Sequence, residues 1–262
     1  MKLNIVPASM GFQWVKLGIK TFFKQPLALA GLFFMFAAAM SVLGMVPFIG
    51  AIVALALLPA ATLGLMAATK EAIKGKFPMP SILITAFRAN QQQIKAMLVL
   101  GAVYALGFLG VMGASTLFDG GKFAQLYFVG GSLTRETAMT SEFQSAIWAT
   151  MALHVPLSML FWHAPALVHW HQLPPLKSLF FSFTACARNF RAYIVFGLSW
   201  MGVFLGVSAT MTTVAALIGG AAAASSVMFP AALLLAAMFF TSIYFTFEST
   251  FESTIQTEPT SS

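Results

Sequence analysis

The sequence predicts an all-α integral membrane protein with six transmembrane helices and amphipathic interfacial helices before spans 1, 3 and 5. Three observations carry this. The stretches Gln25 to Thr69, Ala96 to Phe118, Phe143 to Leu176 and Ala192 to Phe247 contain no Lys, Arg, Asp or Glu, and about 20 apolar residues suffice to cross a bilayer core. The first and last stretches are long enough to cross twice, with reversals at Val46-Pro47-Phe48-Ile49-Gly50 and from Gly219-Gly220 through Ser226. Of the 14 Lys and Arg residues, all but Lys122 and Arg135 fall in alternate loops, the distribution expected when basic loops stay cytoplasmic. Composition agrees, with 59% hydrophobic and 8% charged residues and a mean hydropathy of +0.87, which leaves too few polar groups for the surface of a water-soluble fold.

The first element is an amphipathic helix over residues 9–25. Lys16, Lys20 and Lys24 recur every four residues on one face, while Phe12, Val15, Ile19, Phe22 and Phe23 share an adjoining one. Such a helix is expected in the headgroup plane. Ser9 is its expected N-cap, and Pro26 is suited to open the next helix because its missing N–H would be unpaired there. The spans are expected at about 27–46, 49–69, 96–117, 143–170, 192–217 and 226–247. The first span follows the lysines at full spanning length, without a short apolar region and small-residue cleavage site, and so reads as retained.

Residues 81–95 and 175–191 predict the second and third interfacial helices. An offset of 96 pairs Phe87 with Phe183, Ala89 with Ala185, Lys95 with Arg191, Ala96 with Ala192 and Gly101 with Gly197. This suggests three repeats of elbow, span, span, against the alternative that interfacial boundaries share aromatic, basic and small residues for common reasons. Residues 118–141 form the sizeable segment on the other side, where Gly120-Gly121 and Gly130-Gly131 bracket an apolar run expected to dip into the interface or form a hairpin. Ser141 with Gln144 resembles a capping box for span 4. The whole is expected as one membrane domain over residues 1–255, with a disordered tail at 256–262.

Candidate functional residues fall into two sets. Lys16, Lys20, Lys24, Arg88, Lys95, Arg188 and Arg191 are expected to contact anionic lipid headgroups, each contributing about 1 kcal/mol near such a surface. His154, His163, Pro59 and Pro165 are the expected cavity-lining set, because prolines kink spans and ionisable groups in the bilayer mark functional positions. His163 reads first as a neutral group in an interhelical hydrogen bond and second as a proton relay. Trp162, His169, Trp170 and His171 suit a boundary belt. The glycines Gly107, Gly110 and Gly113, like Gly202 and Gly206, offer faces for close helix packing.

No metal or cofactor site is expected: the four histidines lack a nearby Cys, Asp or Glu, and no phosphate-binding glycine loop, HExxH or GxSxG occurs. Nucleic acid is not an expected partner either, since no folded basic module with stacking or groove-reading elements is present. The sole cysteine, Cys186, precludes an intrachain disulfide.

Residues 18–27 (GIKTFFKQPL), Leu58-Pro59, and Ala164-Pro165-Ala166-Leu167-Val168 leading through Pro174-Pro175 to residues 182–189 (SFTACARN) resemble a family of bacterial inner-membrane proteins of unassigned function. More loosely, the chain is similar to YciC-like proteins and to the membrane domain attached to some glycerophosphodiester phosphodiesterases. The distribution of basic residues places both termini in the cytoplasm, and the resemblance implies a six-helix bacterial inner-membrane protein without an established substrate or mechanism. It carries no phosphodiesterase activity across, because the catalytic domain and its metal-ligand cluster have no counterpart here, and residues 118–141 depart from the pattern. The expected function is that of a non-enzymatic scaffold that contacts anionic lipids or holds a partner, either another protein or a second copy of itself. The alternative is a transporter or channel subunit with a cavity near the kinked spans 2 and 4.

Overall fold

The computed structural model describes residues 2–47, 49–218 and 220–251, with the side chains of 215–227 left aside. Every regular element among them is helical: α1 (Met10–Phe22), α2 (Pro26–Gly44), α3 (Gly50–Ile73), a 3₁₀ segment (Pro80–Phe87), α4 (Gln91–Asp119), α5 (Lys122–Val129), α6 (Arg135–Ala138), α7 (Ser141–Phe161), α8 (Ala164–His171), α9 (Pro175–Arg188), α10 (Phe190–Ile218) and α11 (Gly220–Phe251). Six candidate spans result: α2, α3, α4, α7 with α8, α10 and α11. The order of short helix, span, span recurs three times.

Several boundaries differ from expectation for local reasons. The second elbow is not a continuous amphipathic helix over 81–95. Its 3₁₀ turns end at Phe87 after a non-helical residue at Ile84, and the Asn90 side chain accepts the Gln93 N–H at 2.8 Å, so α4 opens at Gln91 with Lys95 inside it. Ser9 stands at the start of α1 without a side-chain cap bond. Thr140, rather than Ser141, caps α7. The reversal expected through Ser226 is shorter, since the alanine-rich run after Gly220 is helical; Gly219, Phe48 and the tail at 256–262 lie outside the described residues. The 118–141 segment forms α5 and α6 rather than a hairpin. Both oxygens of the buried Asp119 carboxylate accept backbone N–H groups at the start of α5, from Gly121 at 2.9 Å and Phe123 at 2.6 Å.

Contacts cluster into two compact units. The first comprises Met1–Ala37, Thr62–Thr85 and Ala185–Ser262. Its core gathers Phe22, Leu29, Leu32, Phe33, Leu65, Ala68 and Ala237, and α1 packs against α10 and α11. Gly11 and Gly18 make that approach possible: a Cβ on Gly11 would collide with the Ala192 carbonyl and lie 2.6 Å from the Phe196 nitrogen, and one on Gly18 would lie 2.7 Å from Ser242 Cα. Thus α1 turns Trp14, Val15, Gly18 and Phe22 into the protein. Phe12 and Phe23 of its expected apolar face are 56% and 64% exposed, and the glycines define the side that comes close to α10 and α11.

The second unit comprises Ala38–Ala61 and Ala86–Thr184. Here α4 packs along α7 and α8, with Tyr104 edge-on to Phe161 at 5.0 Å and Gly101 seated on the Ala56 carbonyl. Gly107 abuts Leu157, but Gly110, Gly113, Gly202 and Gly206 have open space where a Cβ would stand, so those four do not serve close packing among the described residues. Gly197 is likewise open, unlike its proposed repeat equivalent Gly101.

Candidate lipid-contact surfaces

The face of α1 opposite its buried side is mixed aromatic and cationic. Phe12, Lys16, Lys20 and Phe23 are all exposed and follow one another at spacings of four, four and three residues, with Leu17 and Lys24 alongside, so they form one stripe. On α9 the buried Ser178, Leu179, Ser182, Ala185 and Cys186 define the inward side, leaving Leu176, Phe180 and Phe183 exposed beside Lys177 and Arg188. Rings that sit at the acyl boundary and cations that reach the headgroups are the two components of an interfacial helix.

All seven predicted headgroup cations are exposed, and among the described residues none forms an ion pair. Arg191 lies over the ring of Phe190 at 5.9 Å. By contrast, Lys74 and Lys76 both approach the single Glu71, at 3.3 and 3.9 Å. The seven positions are thus left with their charge available to an external anion.

A cavity of about 300 Å³ opens where the start of α4 meets the turn from α8 to α9. Asn90, Gln92, Lys95 and Gln172 supply its polar wall, and Ala96, Val99, Val168 and Leu173 its apolar wall. Gln93 fixes the two sides to each other by donating its side-chain N–H to the His169 carbonyl at 2.9 Å. A second cavity, about 290 Å³ and mainly apolar, lies among Gly44, Ala51, Leu55, Leu58, Tyr127 and Phe128.

The residues expected to line a cavity lie elsewhere. Pro165 cannot continue the helix of α7, and the chain breaks at Trp162-His163 before α8. Ser182 of α9 enters that break. Its hydroxyl donates to the Met159 carbonyl at 2.8 Å and accepts the His163 N–H at 2.9 Å, the two groups that an unbroken helix would join directly. His163 and Pro165 are buried there, Pro59 is buried inside α3, and half-buried His154 stands edge-on to Phe108 at 5.9 Å. None of the four contributes to the walls of the two cavities above. Among the described residues no three His, Cys, Asp or Glu side chains gather as a metal site would require.

One polar cluster was not foreseen from sequence. Asn189, 2% exposed at the joint between α9 and α10, accepts the Val6 N–H at 2.8 Å and donates to the Asn4 and Ala185 carbonyls, both at 3.1 Å. Asn4 in turn donates its backbone N–H to the Thr250 carbonyl at 2.9 Å, near the end of α11. An exposed-looking Asn beside Arg188 gave no sign of this, although a carboxamide carrying both a donor and an acceptor is the side chain best able to pair with an extended backbone.

Cys186 is buried on α9, and burial pushes its thiol up to about 12, opposed by a hydrogen bond from Tyr193. The thiolate is the nucleophile, so burial both shields the sulfur and suppresses its reactive form. Maleimide should therefore leave the folded protein unlabelled over minutes at pH 8 and modify it completely after denaturation. Rapid labelling in the folded state would show Cys186 to be reachable.

Among the described residues every regular element is helical and six helices are long and apolar enough to cross a bilayer, which makes this a multi-pass membrane protein. The chain is 39% identical, over 79% of its own length and 78% of the relative's, to a probable inner membrane protein of Burkholderia thailandensis. It belongs to that family of bacterial inner-membrane proteins. No protein-family profile matches it, and no solved structure matches it.

Proposed function

We propose that this protein is a non-enzymatic inner-membrane scaffold that binds anionic lipids through its interfacial helices, with both termini in the cytoplasm. The observation that carries the reading is the exposed stripe of α1, in which Phe12 and Phe23 flank Lys16 and Lys20 while the opposite side is consumed by packing on α10 and α11. A helix held that firmly has no use for exposed phenylalanines in water, whereas a bilayer surface accommodates both residue types. The arrangement leaves room for a protein partner or a second copy on the exposed helix faces.

The test is mass spectrometry of gently purified protein. The wild type should carry anionic phospholipid, and replacing Lys16, Lys20, Lys24, Arg188 and Arg191 by Gln should reduce the lipid that is released at low collision energy to below about a tenth, given about 1 kcal/mol per cation near an anionic surface. Undiminished lipid in the variant would overturn the reading. Orientation is tested separately with carboxy-terminal reporters: a fluorescent-protein fusion should glow and an alkaline-phosphatase fusion should be inactive. The reverse pattern would place the basic loops outside.

A further inference from the structure

We propose that the cavity at the start of α4 is a binding site for the phosphate-bearing headgroup of a phospholipid. This rests on the lipid-contact reading and adds a defined place and ligand class to it. At about 300 Å³ the cavity is at the lower end of the range for ligand pockets. Its lining is mixed: α4 contributes Gln92, Lys95 and, one turn further along the same face, Val99, while α8 and the turn after it contribute Val168, Gln172 and Leu173. No Asp or Glu lines it, so the Lys95 ammonium has no counter-ion in the wall and an anion supplies one.

The pairing of polar and apolar groups selects among anions. A free phosphate would leave the apolar wall wet, whereas a phospholipid sets its phosphodiester against Lys95 and the carboxamides and its first acyl carbons against Val99 and Leu173. The location suits such a ligand, because α4 is a candidate span and Gln91–Lys95 is its polar end. The wall is also held in shape. Gln93 ties α4 to α8, and Gln172 ends α8 in the left-handed region at φ 55°, the sole non-glycine residue with positive φ among the described residues. That conformation is unfavourable for a side-chain-bearing residue, and here it presents Gln172 and Leu173 to the cavity.

The experiment uses full-length protein in detergent, with native mass spectrometry after addition of phosphatidylglycerol, diacylglycerol or inorganic phosphate. One phosphatidylglycerol per chain should persist at collision energies that strip the rest, and diacylglycerol should not compete for its place. Lys95→Gln should weaken that adduct about fivefold, Lys95→Arg should retain it, and Val99→Trp should displace it by filling the apolar wall. Lys95 is exposed, so its variants should elute from size exclusion as the wild type does. The five-Gln elbow variant should keep this one adduct while losing others; loss only in that variant, with Lys95→Gln unaffected, would overturn the site and leave the scaffold reading standing. Equal retention of diacylglycerol would overturn phosphate recognition, and displacement by inorganic phosphate at equal concentration would reassign the cavity to the free anion.

Discussion

Replacing Gly18 by leucine is expected to detach α1 from α10 and α11 and to lower the thermal midpoint in detergent by about 10 °C. A Cβ alone would lie 2.7 Å from the Cα of Ser242, a backbone atom in the middle of α11 that cannot step aside. The displacement would propagate, because the Ser242 hydroxyl receives the Trp200 indole N–H at 3.2 Å and itself bonds to the Phe239 carbonyl. Trp14, fully buried between Tyr193 and Phe196 and bonded through its indole N–H to the Ser249 hydroxyl at 2.8 Å, would lose its seat. Overpacking costs about 1–3 kcal/mol and more where backbone is struck; for a chain of this size about 3 kcal/mol corresponds to the stated shift. Leucine has the higher helix propensity, so a stabilised or unchanged protein would mean that α1 does not pack this closely. Thermal unfolding followed by circular dichroism reads the result, with Gly110→Leu as the comparison, since nothing stands within 4 Å of a Cβ there.

Asn189→Ala is expected to have an effect of similar size by a different route. It removes the acceptor of the Val6 N–H and the side-chain donor to the Asn4 and Ala185 carbonyls, of which Ala185 keeps the backbone N–H of residue 189. Each buried group so abandoned costs about 1–3 kcal/mol where water cannot replace the bond, and partial rescue by water brings the sum to about 3 kcal/mol. The amino-terminal strand should loosen as well, so limited proteolysis should cut the variant before Met10 at a protease concentration that spares the wild type. Asn189→Asp should fare no better, because a carboxylate can accept from Val6 but cannot donate to either carbonyl. Ser182→Ala should cost less, since Met159 and His163 can close the helical bond that the hydroxyl now bridges. An Asn189→Ala protein with wild-type stability and protease resistance would refute the clamp.

The spans and two of the three elbows were legible because each depends on local information. A charge-free run of some 20 residues has few alternatives to crossing a bilayer, and lysines every four residues mark a helix face wherever the helix ends up. What sequence did not show depends on partners distant along the chain. The amphipathic pattern of α1 does not tell which of its apolar residues meet protein; Gly11, Trp14, Gly18 and Phe22 carry the packing, and the spacing of the two glycines, seven residues apart on one face, is the available signal. Asn90 alone decided that the second elbow would stop and α4 begin, a one-residue effect easily outweighed by a general amphipathic pattern. The break at His163 followed from Pro165, but its repair by Ser182, 19 residues away, could not be read from either residue. Lys95 was picked out as a headgroup contact for its charge; the cavity around it required the turn at Gln172, which carries no sequence signature of its left-handed conformation.

The central claim is that α1 lies with Phe12, Lys16, Lys20 and Phe23 against the bilayer surface. Depth measurement by electron paramagnetic resonance tests it most directly. Spin labels on Phe12→Cys, Lys16→Cys, Lys20→Cys and Phe23→Cys, in protein reconstituted into phosphatidylglycerol-containing bilayers, report relative access to oxygen and to a water-soluble nickel complex. The buried Cys186 should stay unlabelled as background. The account predicts oxygen access at or above nickel access at positions 12 and 23 and intermediate values at 16 and 20, all distinct from a label in α6 at Thr137→Cys. Full nickel access at all four positions, equal to that of a label in water, would contradict it.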